Sequence, residues 1–483
     1  MNMAHFIAQH LRIREPELLF NASEHTYRSA NPLEGLLTWG PYDSSIVGYG
    51  YLRPNPIRLA IISTEKGFPL LVKHLQRLTE SITLRQRSEY LRPYPGFRHV
   101  YQTNLSFPQY RNDRLVSLIT QDELNSVATQ SQPEIQFLEL LKRKIQPFIS
   151  DRNLFDVLII HIPQEASAYR VRIEPQYRFD LHDSLKAYSA PNGLKIQMLE
   201  DKSMNYIEPA RVYWWLSLAL YVKANGIPWK IADAGAKTAY VGLTFGIKPG
   251  TGRQRIVLGC SQVFDERGEG LRFLLFPLEN PVWRGRNPFM SREDARRLFS
   301  IIRKVYQDMN QHRPDRVVVH KTTYFSADEM RGISEALQGI DEMELLTIQS
   351  TPFRAIMSQP SRSNRGTNEI SGWPVLRGTV VPLDGLSFLL WTQGDVPGVG
   401  GRNRHFYQEG RGIPAPLLVR RFRGRMSLKD VASDILKLTK MNWNNLQLYN
   451  RLPVTISFAQ RISNIVKQLD KYSEVPYDFR YFI

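Results

Sequence analysis

The side chains best suited to chemistry in this chain lie within a short stretch. In Phe179-Asp-Leu-His-Asp-Ser-Leu-Lys-Ala-Tyr188, His182 and Lys186 stand four apart, a spacing that puts both on one face of a helix. Gln197 follows on an apolar strand, and Lys223 closes a helix from Arg211 to Ala224, just before Asn225-Gly226. A terminal phosphate calls for converging donors and positive charge, and an imidazole ring stacks on a base. These four residues offer both. The plainer alternative is a solvated helix face, its polar start explained by Asp180 or Asp183 acting as a local cap.

A second basic cluster lies further on. Between Arg402 and Arg425 there are seven arginines against one acid, Glu409, interleaved with Phe406, Tyr407 and Phe422. The planar guanidinium fork donates two hydrogen bonds to a phosphate, and each phosphate neutralised releases counterions. Arg402, Arg404, Arg420, Arg421 and Arg423 are therefore the expected lining of a nucleic-acid groove, against the alternative of a basic loop on a solvated face. Other chemistries find no support: HExxH, a phosphate loop ending in Gly-Lys-Ser/Thr and a nucleophile elbow are all missing from the sequence. Gly398-Val-Gly-Gly401 is too irregular for a dinucleotide fingerprint and reads as a loop.

The elements that must position these residues follow from length and pattern. A chain of 483 residues exceeds what one core usually organises, so two or three domains are expected. Sixty-three Lys and Arg against 46 Asp and Glu leave a formal charge of +17, which favours a polyanionic partner. Membrane surfaces attract such charge too. The longest mostly apolar stretch, Val212 to Val222, is about half of the ~20 residues that a spanning helix needs and reads as a buried helix. The lone cysteine, Cys260, cannot form an intramolecular disulfide and excludes a multi-cysteine zinc module; it fits a reducing compartment and a buried position in a strand. The N-terminal sequence carries no secretory pattern, so a cytoplasmic location is expected.

Along the chain, opening turns and short strands are expected first, with Trp39-Gly-Pro-Tyr-Asp43 marking a turn. Ile57 to Ser63 reads as a buried strand, Phe68 to Leu78 as an amphipathic helix, and the polar sequence as far as Gln132 as irregular. Val157 to His161 is another continuous apolar strand, so a parallel α/β layer is expected in the first half. After Trp229, Tyr240 to Ile247, Arg255 to Val263 and Leu271 to Phe276 read as an antiparallel meander. Helices capped by Ser291 with Asp294 and by Ser326 with Glu329 then alternate with strands at Val317 to His320 and Glu344 to Ile348. The boundary between the halves belongs near Ile231 to Lys237.

The segment Leu438 to Gln460, LTKMNWNNLQLYNRLPVTISFAQ, resembles the closing helix pair of the PIWI domain of Argonaute proteins. His182, Lys186, Gln197 and Lys223 resemble, in order and nearly in spacing, the residues with which Argonaute MID domains grip a guide's 5′ phosphate. The resemblance implies an α/β chain with an N-terminal segment and Rossmann-like MID domain over residues 1–235 and an RNase H-like PIWI domain over 236–483. In many prokaryotic relatives a magnesium ion and the final carboxylate complete the pocket, which brings in Gln197 and Ile483 as candidate ligands; elsewhere a second basic residue replaces the ion.

Two-metal phosphodiester cleavage needs several carboxylates around paired ions. By the resemblance the first acid falls at Thr244, the third at Thr322 and the last metal ligand at Gln460, none of which is a carboxylate. The second has no fixed position; Glu266, Glu269 and Glu279 are nearby in sequence. Ala239 to Ile247 and Val317 to Thr323 contain no acid at any register. The implied protein is a catalytically inactive short prokaryotic Argonaute, with nothing left over for N and PAZ domains. The alternative is a guide-dependent endonuclease whose acids come from elsewhere. Short forms work in heterodimers, with higher assembly on activation left open. The partner carries a PAZ-analogous region and an effector: a sirtuin-like or TIR-type NAD-consuming domain, or a nuclease. The resemblance thus implies a guide RNA that pairs with single-stranded target DNA from a plasmid or phage. The activated partner then depletes NAD or degrades DNA, and cell death or dormancy limits the invader.

Overall fold

The computed structural model describes residues 10–45, 54–174, 177–249, 255–360, 368–399, 405–407, 412–469 and 476–483. Arg402 and Arg404 lie outside them. In the first half, Ile57–Thr64 (β2) and Val157–Ile162 (β5) pair in parallel. Ile196–Glu200 (β6) pairs in parallel outside β5, and Leu105–Ser106 (β3) and Val116–Ile119 (β4) both pair with β2 on its other side. The continuous apolar runs are explained by burial on both faces. Leu59, Ile61, Val157 and Ile159 point into one core, while Ala60, Ile62, Leu158 and Ile160 point into another. Helix Gly67–Arg77 (α1) forms nearly as the sequence pattern predicts. The segment expected to be irregular as far as Gln132 instead holds β4 and a helix, Gln121–Ala128 (α2), for which Thr120 and Glu123 form a capping box. That Thr-x-x-Glu signature is legible in the sequence. The opening segment likewise contains a helix, Pro32–Trp39, started by Asn31 accepting from Leu33 N.

Among the described residues, the second half is organised by a nine-stranded sheet. Thr238–Pro249 (β7), Arg255–Phe264 (β8) and Gly270–Pro277 (β9) form the antiparallel meander. After a small hairpin of Val282–Arg284 (β10) and Asn287–Phe289 (β11) come helix Arg292–Asn310 (α5) and strand Arg316–Lys321 (β12). Helix Ala327–Ala336 (α6) and strand Glu342–Ser350 (β13) follow. Both predicted helix starts are present: Ser291 accepts from Asp294 N, and Ser326 and Glu329 form a full capping box. β12 lies parallel between β7 and β13. Beyond β13 the sheet continues through Leu417–Arg423 (β16), Ser387–Leu390 (β15) and Thr379–Pro382 (β14).

The far edge strand of this sheet comes from the start of the chain: Leu11–Arg12 (β1) pairs with β14. Glu15 then lies between Arg377 Nε at 2.8 Å and Lys440 Nζ at 2.6 Å, and that lysine also donates to Ala30 O. Both cations are buried.

One face of the large sheet packs on α5 and α6 through Val241, Leu243, Val317 and Val319. The other carries Leu428–Leu438 (α7) and Val454–Val466 (α8), the pair flagged by the closing motif. Gly242 permits this packing: a Cβ there would sit 1.9 Å from Thr455 O. No helix among the described residues is long and apolar enough to cross a membrane.

Candidate functional site

Helix Leu181–Ser189 (α3) begins at Asp180, whose carboxylate accepts from His182 N at 3.0 Å and Asp183 N at 3.3 Å. That cap fixes the first turn and aims His182 and Lys186 inward, one above the other. Gln197 sits on β6, and Lys223 ends helix Pro209–Lys223 (α4). Lys223 donates to Gln197 Oε1 at 2.9 Å, and Lys186 to the main-chain oxygen of Ile483. All five residues line one cavity of about 680 Å³.

A sixth residue, Arg461 of α8, enters from the second half: its Nη2 lies 3.4 Å from His182 Nε2. Arginine can only donate, so His182 Nε2 accepts, and the ring's proton sits on Nδ1, which faces Asp183 Oδ1 at 3.3 Å. Burial, then the charges of Lys186 and Arg461, hold the imidazole well below its usual range, so it is a neutral ring at pH 7. Arg461 is the only charged residue of α8. A single arginine on a helix otherwise apolar or small and polar was the sequence signal for it, one position beyond the closing motif.

Lys186 is 2% and Lys223 3% exposed, and among the described residues no Asp or Glu lies at ion-pair distance from either amine or from Arg461, the Ile483 oxygen being the contact of Lys186. Burial, then Arg461 and Lys223, pushes Lys186 well down; burial, then Arg461, pushes Lys223 down to about 7. Burying unpaired charge costs several kcal/mol per ion. Asp183 acts on Lys186 and Arg461 only from beyond ion-pair distance, so three basic groups facing one cavity make a site suited to an anion, which would hold the lysines in their charged form. The rim adds Lys202, Arg211, Tyr206 and Trp215, the last two 38% and 40% exposed. Arg211 lies over the Trp215 ring at 5.8 Å.

The two oxygens expected to hold a magnesium ion, Gln197 Oε1 and that of Ile483, each accept from an amine, so an ion there would share them with Lys223 and Lys186 and would need further hard oxygen ligands. Among the described residues, Asp180, His182 and Asp183 are the one group of three close enough to share an ion. Asp180 is there committed to the helix cap.

Of the positions matched to nuclease acids, Thr244 and Thr322 each follow the last register pair of β7 with β12, Leu243 opposite Lys321. Gly242 and Gly246 on either side of Thr244 meet Thr455 and Ser463 of α8, the helix that carries Gln460. Each of the three side chains is uncharged. Glu266 accepts from Tyr306 at 2.8 Å, Glu269 pairs with Lys230 at 2.6 Å, and Glu279 pairs with Arg297.

The basic strand divides by side-chain role. Arg420 is exposed over Phe422, and Arg423 is exposed and donates to Ser334 Oγ at 2.9 Å. Arg421 departs from the expected groove lining: its Nε pairs with buried Glu344 at 2.9 Å and its Nη2 donates to Met426 O. The carboxylate of Glu344, 1% exposed, needs that counter-charge.

A parallel α/β layer joined to a large mixed sheet, with a cavity of buried cations at the seam, is the MID–PIWI architecture. No family model matches the chain. The "Protein argonaute" of Aquifex aeolicus is 21% identical over 334 residues, 68% of this chain and 41% of that protein. Among solved structures, Clostridium butyricum Argonaute bound to a guide DNA and a 19-mer target DNA is similar with a TM-score of 0.67 and 14% identity. The match covers 100% of this chain and 56% of that one. Drosophila Piwi gives a TM-score of 0.63 at 14% identity, covering 98% and 56%. The chain is thus similar in sequence to an Argonaute protein and shares the Argonaute fold, and it spans about half the length of the relatives it matches.

Proposed function

We propose that the chain holds the 5′-phosphorylated end of a short guide strand, small RNA in this reading, and presents it for pairing with a single-stranded DNA target. The observation that carries this is a set of basic side chains with no Asp or Glu at ion-pair distance among the described residues, buried Lys186 and Lys223 and half-buried Arg461, gathered from three helices around neutral His182. A phosphate dianion accepts from several donors at once and offsets their burial, while the imidazole offers its face to the first base. Arg461 supplies the charge that an ion would supply, so chelators leave guide loading intact. The test compares guides that differ only in a 5′ phosphate or 5′ hydroxyl, with and without EDTA. Equal affinities sink the reading.

Without a carboxylate at Thr244, Thr322 or Gln460, the paired target is held and not cut. In the finer reading, supported by the sequence resemblance, target capture activates an associated PAZ-analogous effector protein. That effector is NAD-depleting, and the complex serves cytoplasmic defence against plasmids or phage. Its test is the identity of the polypeptide and oligonucleotide that co-purify with the native protein.

A further inference from the structure

Ser63, His161 and Asp201 form a hydrogen-bonded relay that takes no part in the phosphate grip. Ser63 on β2 and His161 on β5 are each 0% exposed. Ser63 Oγ lies 2.9 Å from His161 Nδ1, and His161 Nε2 lies 3.0 Å from Asp201 Oδ1. A carboxylate only accepts, so the ring proton sits on Nε2, and Nδ1 accepts from the Ser63 hydroxyl. Burial holds the ring below its usual range against the pull of Asp201, which keeps it neutral at pH 7. A Cβ on Gly67 would lie 2.4 Å from His161 Cε1, so the start of α1 confines the ring to one place. With Ser63 sealed from solvent, the relay has no path for a substrate and holds structure instead of attacking a bond.

What it holds is a wall of the cation cavity. Asp201 follows directly on β6, the strand of Gln197, and its second oxygen accepts from Gln164 N at 2.7 Å. The short turn Asp201–Met204 is closed by Asn205, whose Nδ2 donates to Asp201 O at 3.0 Å. Lys202, Ser203 and Tyr206 then line the cavity. Among the described residues, the side-chain hydrogen bonds that tie this segment to the rest of the fold run through Asp201. The cavity of about 680 Å³ has room for a nucleoside behind a phosphate, since small-molecule pockets run from roughly 300 to 1,000 Å³.

We propose that His161 is a positioning residue for guide binding: through Asp201 it fixes the segment from Asp201 to Tyr206, and so sets the wall that faces the nucleoside behind the 5′ phosphate. The proposal rests on the guide-holding reading above. Neither His161 nor Asp201 lines the cavity, so both act on a bound strand through that wall.

The test measures the affinity of the full chain for guides with a 5′ phosphate or a 5′ hydroxyl, beside thermal unfolding. It takes wild type, His161→Leu, Asp201→Ala, the two combined, and His161→Gln, whose amide keeps an N–H for Asp201. His161→Leu and Asp201→Ala are each expected to weaken both guides by roughly tenfold. The preference for phosphate, set by the inner basic groups, stays as in wild type. The combined variant binds no worse than either alone, because one tie cannot be lost twice. His161→Gln binds nearly as wild type does. Unchanged guide affinity in Asp201→Ala overturns the proposal, and so do additive losses in the combined variant or a His161→Gln as weak as His161→Leu. If His161→Leu does not fold, Asp201→Ala and His161→Gln decide: a weak first and a near-normal second support the proposal, and any other pairing overturns it. A wild type without phosphate preference defeats the guide reading alone, since the variants still show whether the relay shapes the cavity.

Discussion

In the proposed reading Lys186 and Lys223 carry the phosphate grip, and their burial makes the consequences of changing them specific. Lys186→Ala with Lys223→Ala removes two charge-assisted contacts, about 3 kcal/mol, so guide affinity falls by roughly two decades. Filter binding with a phosphorylated guide measures it, and a hydroxyl guide loses little. Arg461→Ala should weaken the same guide by tenfold or more, with the difference between phosphate and hydroxyl guides reduced. Lys223 also sets a pH dependence. Its folded value of about 7 lies below the unfolded value of ~10.4, so across that window the unfolded chain binds the extra proton. This lysine's contribution to stability is therefore least favourable below pH 7 and rises with pH towards ~10.4. Phosphate binding restores the charged form, so melting curves of the loaded protein should lose this rise between pH 7 and 9. A rise that persists unchanged in the loaded protein contradicts the placement of phosphate beside Lys223.

At the scale of elements, most of the architecture was legible because two-faced burial leaves an unmistakable mark. Ile57–Thr64, Val157–Ile162 and Arg316–Lys321 are central parallel strands, and their near-continuous apolar runs follow from cores on both sides. Helix starts at Ser291 and Ser326 were equally readable, because capping is a local bond. What escaped was tertiary. The partner of Arg421 is Glu344 on the neighbouring strand, a pairing set by sheet register, and no spacing in the sequence announces it. Arg461 was hidden for the same reason: its neighbour His182 is 279 residues away. The close contact of Gly242 with Thr455 is a further case, and it makes a prediction about an element. Gly242→Ala forces β7 and α8 apart, and a cost of about 1–3 kcal/mol is expected from overpacking. Thermal or chemical denaturation measures that cost; a neutral result means that α8 is not seated on the strand as described.

On the scale of the whole molecule, the two halves are bound together by both ends of the described chain. Tyr477 pairs with Phe273 of β9, Arg480 donates to Val222 O at the end of α4, and Ile483 reaches Lys186. The same segment thus touches the large sheet and the cation cavity. At the other end, Glu15 pairs with both Arg377 and Lys440, which are buried beneath the opposite edge of the sheet. A hydrophobic patch would allow the opening segment to peel away and re-dock at modest cost, whereas a buried ion triad does not. Removing one acid leaves two basic groups in a low dielectric with uncharged contacts, Thr392 O, Leu436 O, Thr439 Oγ1 and the Tyr449 ring for the arginine and Ala30 O and Leu448 O for the lysine. Glu15→Ala is therefore expected to destabilise the protein by about 3–5 kcal/mol. The loss should appear as one cooperative transition at lower denaturant concentration, because strand β1 and the large sheet share this joint. An early, separate unfolding step confined to the first ~45 residues, with the main transition unmoved, would show that the opening segment is an appendage. A single shifted transition instead makes the start of the chain a structural part of the sheet on which α8, and with it Arg461, is seated.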